Sequence, residues 1–236
     1  MKRVSFLVAG MFMLGSTLSG PAVSASVTLA GSTVDFSFDD ALPGLFGTPG
    51  VSGDTLFFTP TTFAAQSLNG AGFSLTHASA NIRITAREGR VFDTLGLIER
   101  GDYLLYGAGS LVEVGGQLRA FDVSAPQADL TAAIAANGPL TAQGLPTHDW
   151  TAGAVLDASV FDGRTISVTI ENLLLASTAT PGTLAFVEKK YAGLNVSTLA
   201  APVPEADTWV MMLTGLGLLG WAARRRRQMA GPIMPE

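Results

Sequence analysis

The chain has 236 residues, of which 47% are hydrophobic and 14% are charged. This composition is too apolar for a disordered protein, and the length suits one folded domain with targeting segments. Residues 26–203 contain 8 basic and 16 acidic side chains, a net charge of -8. Such a surface repels phosphate backbones, so nucleic acid is not an expected partner. The absence of cysteine excludes disulfides, thiolate nucleophiles and the usual structural zinc sites.

The first 25 residues have the pattern of a secretory signal peptide. Lys2 and Arg3 precede an apolar run over residues 4–18, and small residues follow at 23–25. This pattern predicts export and cleavage after Ala25. An uncleaved N-terminal anchor is the alternative, although a run of about 15 residues is short for a membrane-spanning helix of about 20.

Residues 26–200 show the two-residue alternation of apolar and polar side chains that marks half-buried β-strands. The apolar positions of the clearest strands are Val34, Phe36 and Phe38, then Ile82 and Ile84, then Ile166, Val168 and Ile170. Turn signals separate roughly ten strand candidates, and no segment alternates strands with long helices. We therefore predict an all-β domain, an antiparallel β-sandwich with a jelly roll as one arrangement.

Four short segments of this domain carry more specific expectations. The Gly-Gly pair at 115–116 and the Asp-Gly pair at 162–163 predict tight hairpins, since such turns need positive φ at their central residues. Residues 100–102, Arg-Gly-Asp, also have turn composition. Residues 128–136 are the one segment of the domain predicted to be helical.

The C-terminal region combines an uncharged stretch with a basic block. A linker over residues 201–208 leads into the uncharged residues 209–223, which are predicted to form a transmembrane helix. The block that follows is Arg224, Arg225, Arg226 and Arg227. Because a charged side chain costs about 2.5 to 3.5 kcal/mol at the bilayer centre, the tail 224–236 is expected to stay cytoplasmic. The predicted span is short, about 15 residues against the usual 20 or so.

The order of these features resembles the PEP-CTERM sorting signal. Val203, Pro204, Glu205 and Ala206 come first, then Trp209, a Gly-Leu-rich stretch and the arginine block. The family usually has proline where this chain has Ala206. The resemblance implies recognition by an exosortase, a membrane-embedded cysteine protease-transpeptidase that cuts near Pro204 and Glu205 and removes the helix and arginines.

The same resemblance implies a destination and a role. The expected route runs through the inner membrane of a Gram-negative bacterium to the cell surface or extracellular matrix. The expected role is non-catalytic association with exopolysaccharide. Three segments of the domain, residues 82–87, 101–104 and 191–196, also resemble ectodomains of other PEP-CTERM proteins, and that likeness brings no assigned activity.

Side chains able to do chemistry are present, but they form no specific motif. The two histidines, His77 and His148, lie in no nucleophile motif such as G-x-S-x-G. Carboxylates cluster at residues 35–40, 99–102 and 157–162, as a glycosidase pair or a calcium site requires. We expect no catalytic residue, metal or cofactor. The alternatives are a secreted carbohydrate-active enzyme and an unprocessed one-span inner-membrane protein with a periplasmic β-sandwich.

Four aromatic residues are candidate sugar contacts. Trp150 is the one tryptophan before the C-terminal region, and the three tyrosines are Tyr103, Tyr106 and Tyr191. Aromatic faces combine apolar area with a polar tip, which suits stacking against a sugar ring. Packing in the core is the alternative role for all four.

Overall fold

The computed structural model describes residues 26–39, 44–202 and 206–229, except for the side chains of 206–208 and 226–229. The predicted signal peptide with Ala25, the motif residues Val203, Pro204 and Glu205, and the end of the tail lie outside the described residues. The strands are β1 (Ser26–Ala30), β2 (Val34–Asp39), β3 (Pro49–Ser52), β4 (Thr55–Phe58), β5 (Ala64–Leu68), β6 (Gly72–Ala86), β7 (Arg90–Tyr106), β8 (Ser110–Asp122), β9 (Asp129–Ala136), β10 (His148–Asp157), β11 (Thr165–Thr178) and β12 (Leu184–Ala200). Short 3₁₀ helices cover Gly44–Phe46 and Ala158–Val160, and helix α1 covers Ala206–Met229.

The strands form one continuous antiparallel sheet. Its order is β1-β2-β6-β11-β8-β9-β10-β7-β12-β4-β3, with β5 added beside β4 on β12. The sheet folds back on itself, so that β8 and β11 lie against β12 across the interior. Its ends meet where the Ser32 N–H donates to the Gly53 carbonyl at 3.2 Å. The all-β antiparallel prediction is confirmed as two layers of one nearly closed sheet, and the jelly-roll arrangement stays a prediction.

The inner sides of both layers form a single apolar core. The alternating positions identified in the sequence all point into it, and seven of them have no exposed surface: Val34, Phe36, Ile82, Ile84, Ile166, Val168 and Ile170. Burying a side chain of this size contributes about 1.5 to 3 kcal/mol. The predicted facing of β2, β6 and β11 is therefore confirmed.

The helix predicted over residues 128–136 is wrong, because this segment is strand β9. Leu130, Ala132 and Ile134 pack against the core, and the residues between them are exposed or half-buried at the strand end. The segment is rich in alanine, which favours helices. It becomes a strand because it lies between β8 and β10 in the sheet. There it forms backbone hydrogen bonds with both of them.

The predicted turns at 115–116, 100–102 and 162–163 are also corrected. The first two lie inside the long strands β8 and β7. The third connects β10 to β11, which pair with other strands and not with each other, so it is a crossover between layers. At Gly116 the missing Cβ permits close strand contact, since a Cβ there would lie 2.0 Å from the Glu171 carbonyl oxygen.

Helix α1 follows the domain at its C-terminal end. All its described side chains, residues 209–225, are exposed. The guanidinium of Arg225, in the basic block, lies 5.4 Å from the ring centroid of Trp221. Among the described residues, no helix has both the length and the apolar character needed to cross a membrane. The predicted C-terminal helix is confirmed, and its crossing of a membrane stays a prediction.

The facing of β11 can be tested with a matched pair of substitutions. Val168→Asp should unfold the domain, because an unpaired buried carboxylate costs several kcal/mol against a total stability of about 5 to 15 kcal/mol. Thr169→Asp is the control, since Thr169 points outward and is paired across the ladder with Arg119. Urea unfolding followed by circular dichroism measures both. Equal midpoints for the two variants would contradict the assigned facing.

Candidate functional site

The structure separates the four predicted sugar-stacking residues, of which Tyr191 is described with the groove below. Tyr103 and Trp150 are only 4% and 3% exposed, because both occupy inward positions of their strands. Their ring faces are packed in the core, so the stacking prediction is wrong for these two. Tyr103 instead accepts a hydrogen bond from the Ala142 N–H at 3.2 Å. Tyr106 points outward and is 47% exposed, and its sugar contact stays a prediction.

Trp150 links three neighbouring strands from inside the core. Its indole N–H donates to the carbonyl of Asp102 in β7 at 3.2 Å and to the carbonyl of Glu188 in β12 at 3.0 Å. The indole lies against Gly101, where a Cβ would fall 2.7 Å from the ring and 1.9 Å from the Glu188 carbonyl oxygen. Only glycine leaves room for this arrangement.

Strand β12 contains a β-bulge beside this tryptophan. Lys189 is paired with Gly101 and Tyr191 with Arg100, so Lys190 is the extra residue in the ladder. An extra residue shifts the alternation of side chains by one position. Buried positions in β12 are therefore odd-numbered before the bulge and mostly even-numbered after it. The bulge lets Lys190 and the neighbouring Tyr191 both lie on the outer side.

On the inner side of the bulge lies a buried ion pair. Lys189 Nζ is 2.6 Å from Glu99 Oε2, neither side chain has exposed surface, and the Nζ lies 5.2 Å from the Phe63 ring centroid. Burial lowers the pKa of Lys189 to about 8, and the charge and hydrogen bond of Glu99 oppose that shift. Desolvation cancels much of the attraction in such a pair, so we assign it a structural role in positioning β7 against β12.

The described carboxylates of the three clusters lie in different surroundings. Glu99 points into the core and Asp102 points outward, so they cannot serve one active site. Asp35 pairs with Arg87 at 2.9 Å. Asp157 caps the second 3₁₀ helix by accepting from the Ser159 N–H. Within the described residues, no group of three or more His, Asp or Glu side chains is arranged to hold a metal ion.

The histidines lie on different strands with different surroundings. His77 is exposed on the outer side of β6. His148 begins β10, its ring centroid is 5.5 Å from that of Tyr103, and its Nε2 is buried with no hydrogen-bond partner among the described residues. Neither histidine has a described hydrogen bond to a serine or carboxylate, as a nucleophilic triad requires.

A polar groove of about 550 Å³ lies on the outer face beside the bulge. Its outward side chains are those of Arg100, Asp102, Asp149, Thr151, Lys190 and Tyr191, and the buried Gly101 and Trp150 also line it. Asp102 is paired across the sheet with Asp149 on one side and Glu188 on the other, which places three carboxylates in one row. Lys190 forms ion pairs with Asp102 and with Glu188, the latter at 3.2 Å. Hydrogen bonds to Asp102 and then Glu188 raise the pKa of Lys190.

Two aromatic rings lie flat on the sheet next to this groove. A Cβ on Gly193 would fall 2.4 Å from the Tyr191 hydroxyl, and a Cβ on Gly50 would fall 2.5 Å from the Phe57 ring. The two rings are 15° from parallel with centroids 6.4 Å apart. The guanidinium carbon of Arg100 lies 5.8 Å from the Tyr191 centroid. We call Tyr191 and Phe57 the aromatic platform.

The sequence-based prediction included Tyr191 among the candidate sugar contacts but did not include its neighbour Phe57. One signal was available in the spacing Tyr191-Ala192-Gly193, because an aromatic residue two positions from a glycine on one strand face can cover it. The partner ring, Phe57, comes from a strand 134 positions earlier in the chain. That pairing is decided by the sheet order and cannot be read from local sequence.

The architecture defines the class of protein, an antiparallel all-β domain followed by a C-terminal helix with a basic end. The family model for the PEP-CTERM protein-sorting motif matches residues 202–227. The chain therefore carries the sorting motif of exosortase substrates, which indicates export through the cell envelope towards the surface. The match does not extend into the domain, so the likeness of its segments to other PEP-CTERM ectodomains stays a prediction.

A search against curated proteins returned no match to this chain. Among solved structures, the chain is weakly similar to those of infectious bursal disease virus. The Gt strain structure gives a TM-score of 0.23 and 13% identity, covering 79% of this chain and 60% of that chain. The Gx strain structure gives a TM-score of 0.23 and 16% identity, covering 73% of this chain and 51% of that chain. The structure of a VP2 subviral particle of the same virus gives a TM-score of 0.21 and 10% identity, covering 77% of this chain and 58% of that chain.

The chain thus spans less than two thirds of the length of each of these viral chains. TM-scores of this size are too low to assign a shared fold or function. The sorting motif is therefore the finding that bears on what the protein does.

The contact between Trp150 and β7 can be tested with two glycines of the same strand. Gly101→Ala should lower the free energy of unfolding by about 1 to 3 kcal/mol, since the methyl group overlaps Trp150 and the Glu188 carbonyl. Gly96→Ala is the control, because a Cβ there meets nothing within 4 Å, and it should change stability by less than about 0.5 kcal/mol. Urea titration gives both values. Equal effects would contradict the close packing at Gly101.

Proposed function

We propose that the protein is a non-catalytic component of the cell surface or extracellular matrix that associates with exopolysaccharide after exosortase processing. The observation that carries the proposal is the PEP-CTERM motif at residues 202–227, which directs the domain to the surface. A domain delivered there meets the polysaccharides of the producing cell. The polar groove and the aromatic platform supply the two kinds of contact that such a ligand needs.

The charges of the groove support binding over catalysis. A glycosidase needs one carboxyl group to donate a proton and a second to act as base or nucleophile. In the groove, the Asp102 carboxylate already has a partner, because it forms an ion pair with Lys190. A carboxylate engaged by the protein in this way is less available to act on a substrate.

A secreted carbohydrate-active enzyme is the second candidate. One observation favours it, because Asp102 and Asp149 are directly paired across β7 and β10 and both line the groove. Paired positions on neighbouring antiparallel strands bring Cβ atoms to about 5 Å. That separation suits the short carboxylate spacing of retaining enzymes.

Processing of the tail can be tested by intact mass. The precursor is expressed in an exosortase-competent strain and in the matched strain lacking the exosortase. We expect the competent strain to yield a product that starts after Ala25 and ends near Glu205, and the deficient strain to keep residues 209–227. Ala206→Pro, which restores the usual family residue, should be processed at least as completely. A product from competent cells that retains residues 209–227 would exclude exosortase processing.

The role of the domain can be tested with the producer's own exopolysaccharide. The processed protein is incubated with it, and both co-sedimentation and new reducing ends are measured. We expect co-sedimentation without new reducing ends. New reducing ends that disappear in Asp102→Asn or Asp149→Asn, while binding persists, would establish the enzyme instead. If the protein neither binds nor cleaves the polysaccharide, the proposed association is refuted.

A further inference from the structure

The outer face of the domain carries a continuous strip formed by the polar groove and the aromatic platform. The strip crosses five strands, β10, β7, β12, β4 and β3, which at about 4.8 Å between strands extends over about 19 Å. On the inner side of the sheet the side chains pack in the core. On the outer side, along this strip, the rings of Tyr191 and Phe57 lie against the backbone of glycine residues. A flat strip of this length suits an extended chain more than a single small molecule.

The geometry of the two rings favours stacking against flat apolar surfaces. Tyr191 covers Gly193 and Phe57 covers Gly50, so each ring rests on the sheet, and both side chains stay half-buried. The planes differ by 15°, and the centroids are 6.4 Å apart. The accessible parts of two nearly parallel rings offer neighbouring stacking surfaces to one ligand. The faces of pyranose sugars, which carry C–H groups, match such surfaces.

The charges next to the platform select a neutral, hydroxyl-rich ligand. The groove is lined by two cations, Arg100 and Lys190, and two anions, Asp102 and Asp149, so it has no net charge. A polyanion would meet both carboxylates and the nearby Glu188. The Asp149 side chain forms no hydrogen bond or ion pair among the described residues, which leaves its oxygens able to accept from sugar hydroxyls. The Arg100 guanidinium supplies donors beside the Tyr191 ring.

We infer that this strip is a binding site for a neutral, extended polysaccharide, with sugar faces stacked on Tyr191 and Phe57 and hydroxyl groups bonded in the groove. The inference rests on the proposed function, because it names the site and the chemical class of the polysaccharide. Tyr191 supplies the central contact, since it belongs to the aromatic platform and also lines the groove. Trp150 takes no direct part, because it is buried beneath the strip.

The test uses the exported protein and two probes, the neutral and the acidic fractions of the producer's exopolysaccharide separated by anion exchange. We expect binding to the neutral fraction. Tyr191→Ala and Phe57→Ala should each raise the Kd about tenfold, as removal of a central aromatic contact does. Tyr191→Phe keeps the ring and should change the Kd less than about twofold. Phe73→Ala is the matched control and should leave the Kd unchanged, because Phe73 is an exposed aromatic on β6, outside the strip.

Thermal unfolding of every variant shows whether a loss of binding reflects a loss of folding. If Tyr191→Ala is unstable, Arg100→Ala is measured in its place, and it too should raise the Kd for the neutral fraction. Binding restricted to the acidic fraction, or binding to the neutral fraction that is equally strong in Tyr191→Ala and Phe57→Ala, would overturn the site and leave the proposed function standing. If the protein binds neither the neutral nor the acidic fraction, both the proposed site and the proposed function are overturned.

Discussion

One extra residue in β12, Lys190, sets the relation between the interior of the domain and its outer face. Before the bulge the alternation places Lys189 in the core, and after it the alternation resumes with the opposite parity. Both the buried ion pair with Glu99 and the outward position of Tyr191 follow from this shift. A regular strand would keep one parity throughout, so it would bury either the apolar residues before this point or those after it, but not both sets.

Glycines determine where aromatic rings can approach the sheet, and they act on both faces. Inside, Gly101 admits Trp150, whose indole N–H joins the carbonyls of two neighbouring strands. Outside, Gly193 and Gly50 admit the two rings of the aromatic platform. In each case a Cβ would occupy the space of the ring. The same lack of a side chain thus makes room for a core indole at one position and for the aromatic platform at another.

Delivery and recognition are carried by physically different parts of the chain. The sorting motif is a short linear segment whose recognisable features are order and composition, and the match at residues 202–227 reflects this. The proposed recognition by the domain depends instead on a surface assembled from β10, β7, β12 and β4. The net charge of the domain excludes some partners, but it does not reveal the local balance of Arg100 and Lys190 against Asp102 and Asp149.

The sequence by itself determined the sorting motif, the all-β class and the inward face of β2, β6 and β11, because composition and two-residue alternation are local properties. It misassigned residues 128–136 and the turns at 100–102 and 115–116, where pairing with neighbouring strands overrides alanine and glycine preferences. Of the aromatic residues it proposed for sugar contact, Trp150 and Tyr103 are buried, whereas Tyr106 and Tyr191 lie on the outer side. Only the tertiary structure decided these points, since the bulge, the sheet order and the glycine contacts join residues far apart in the chain.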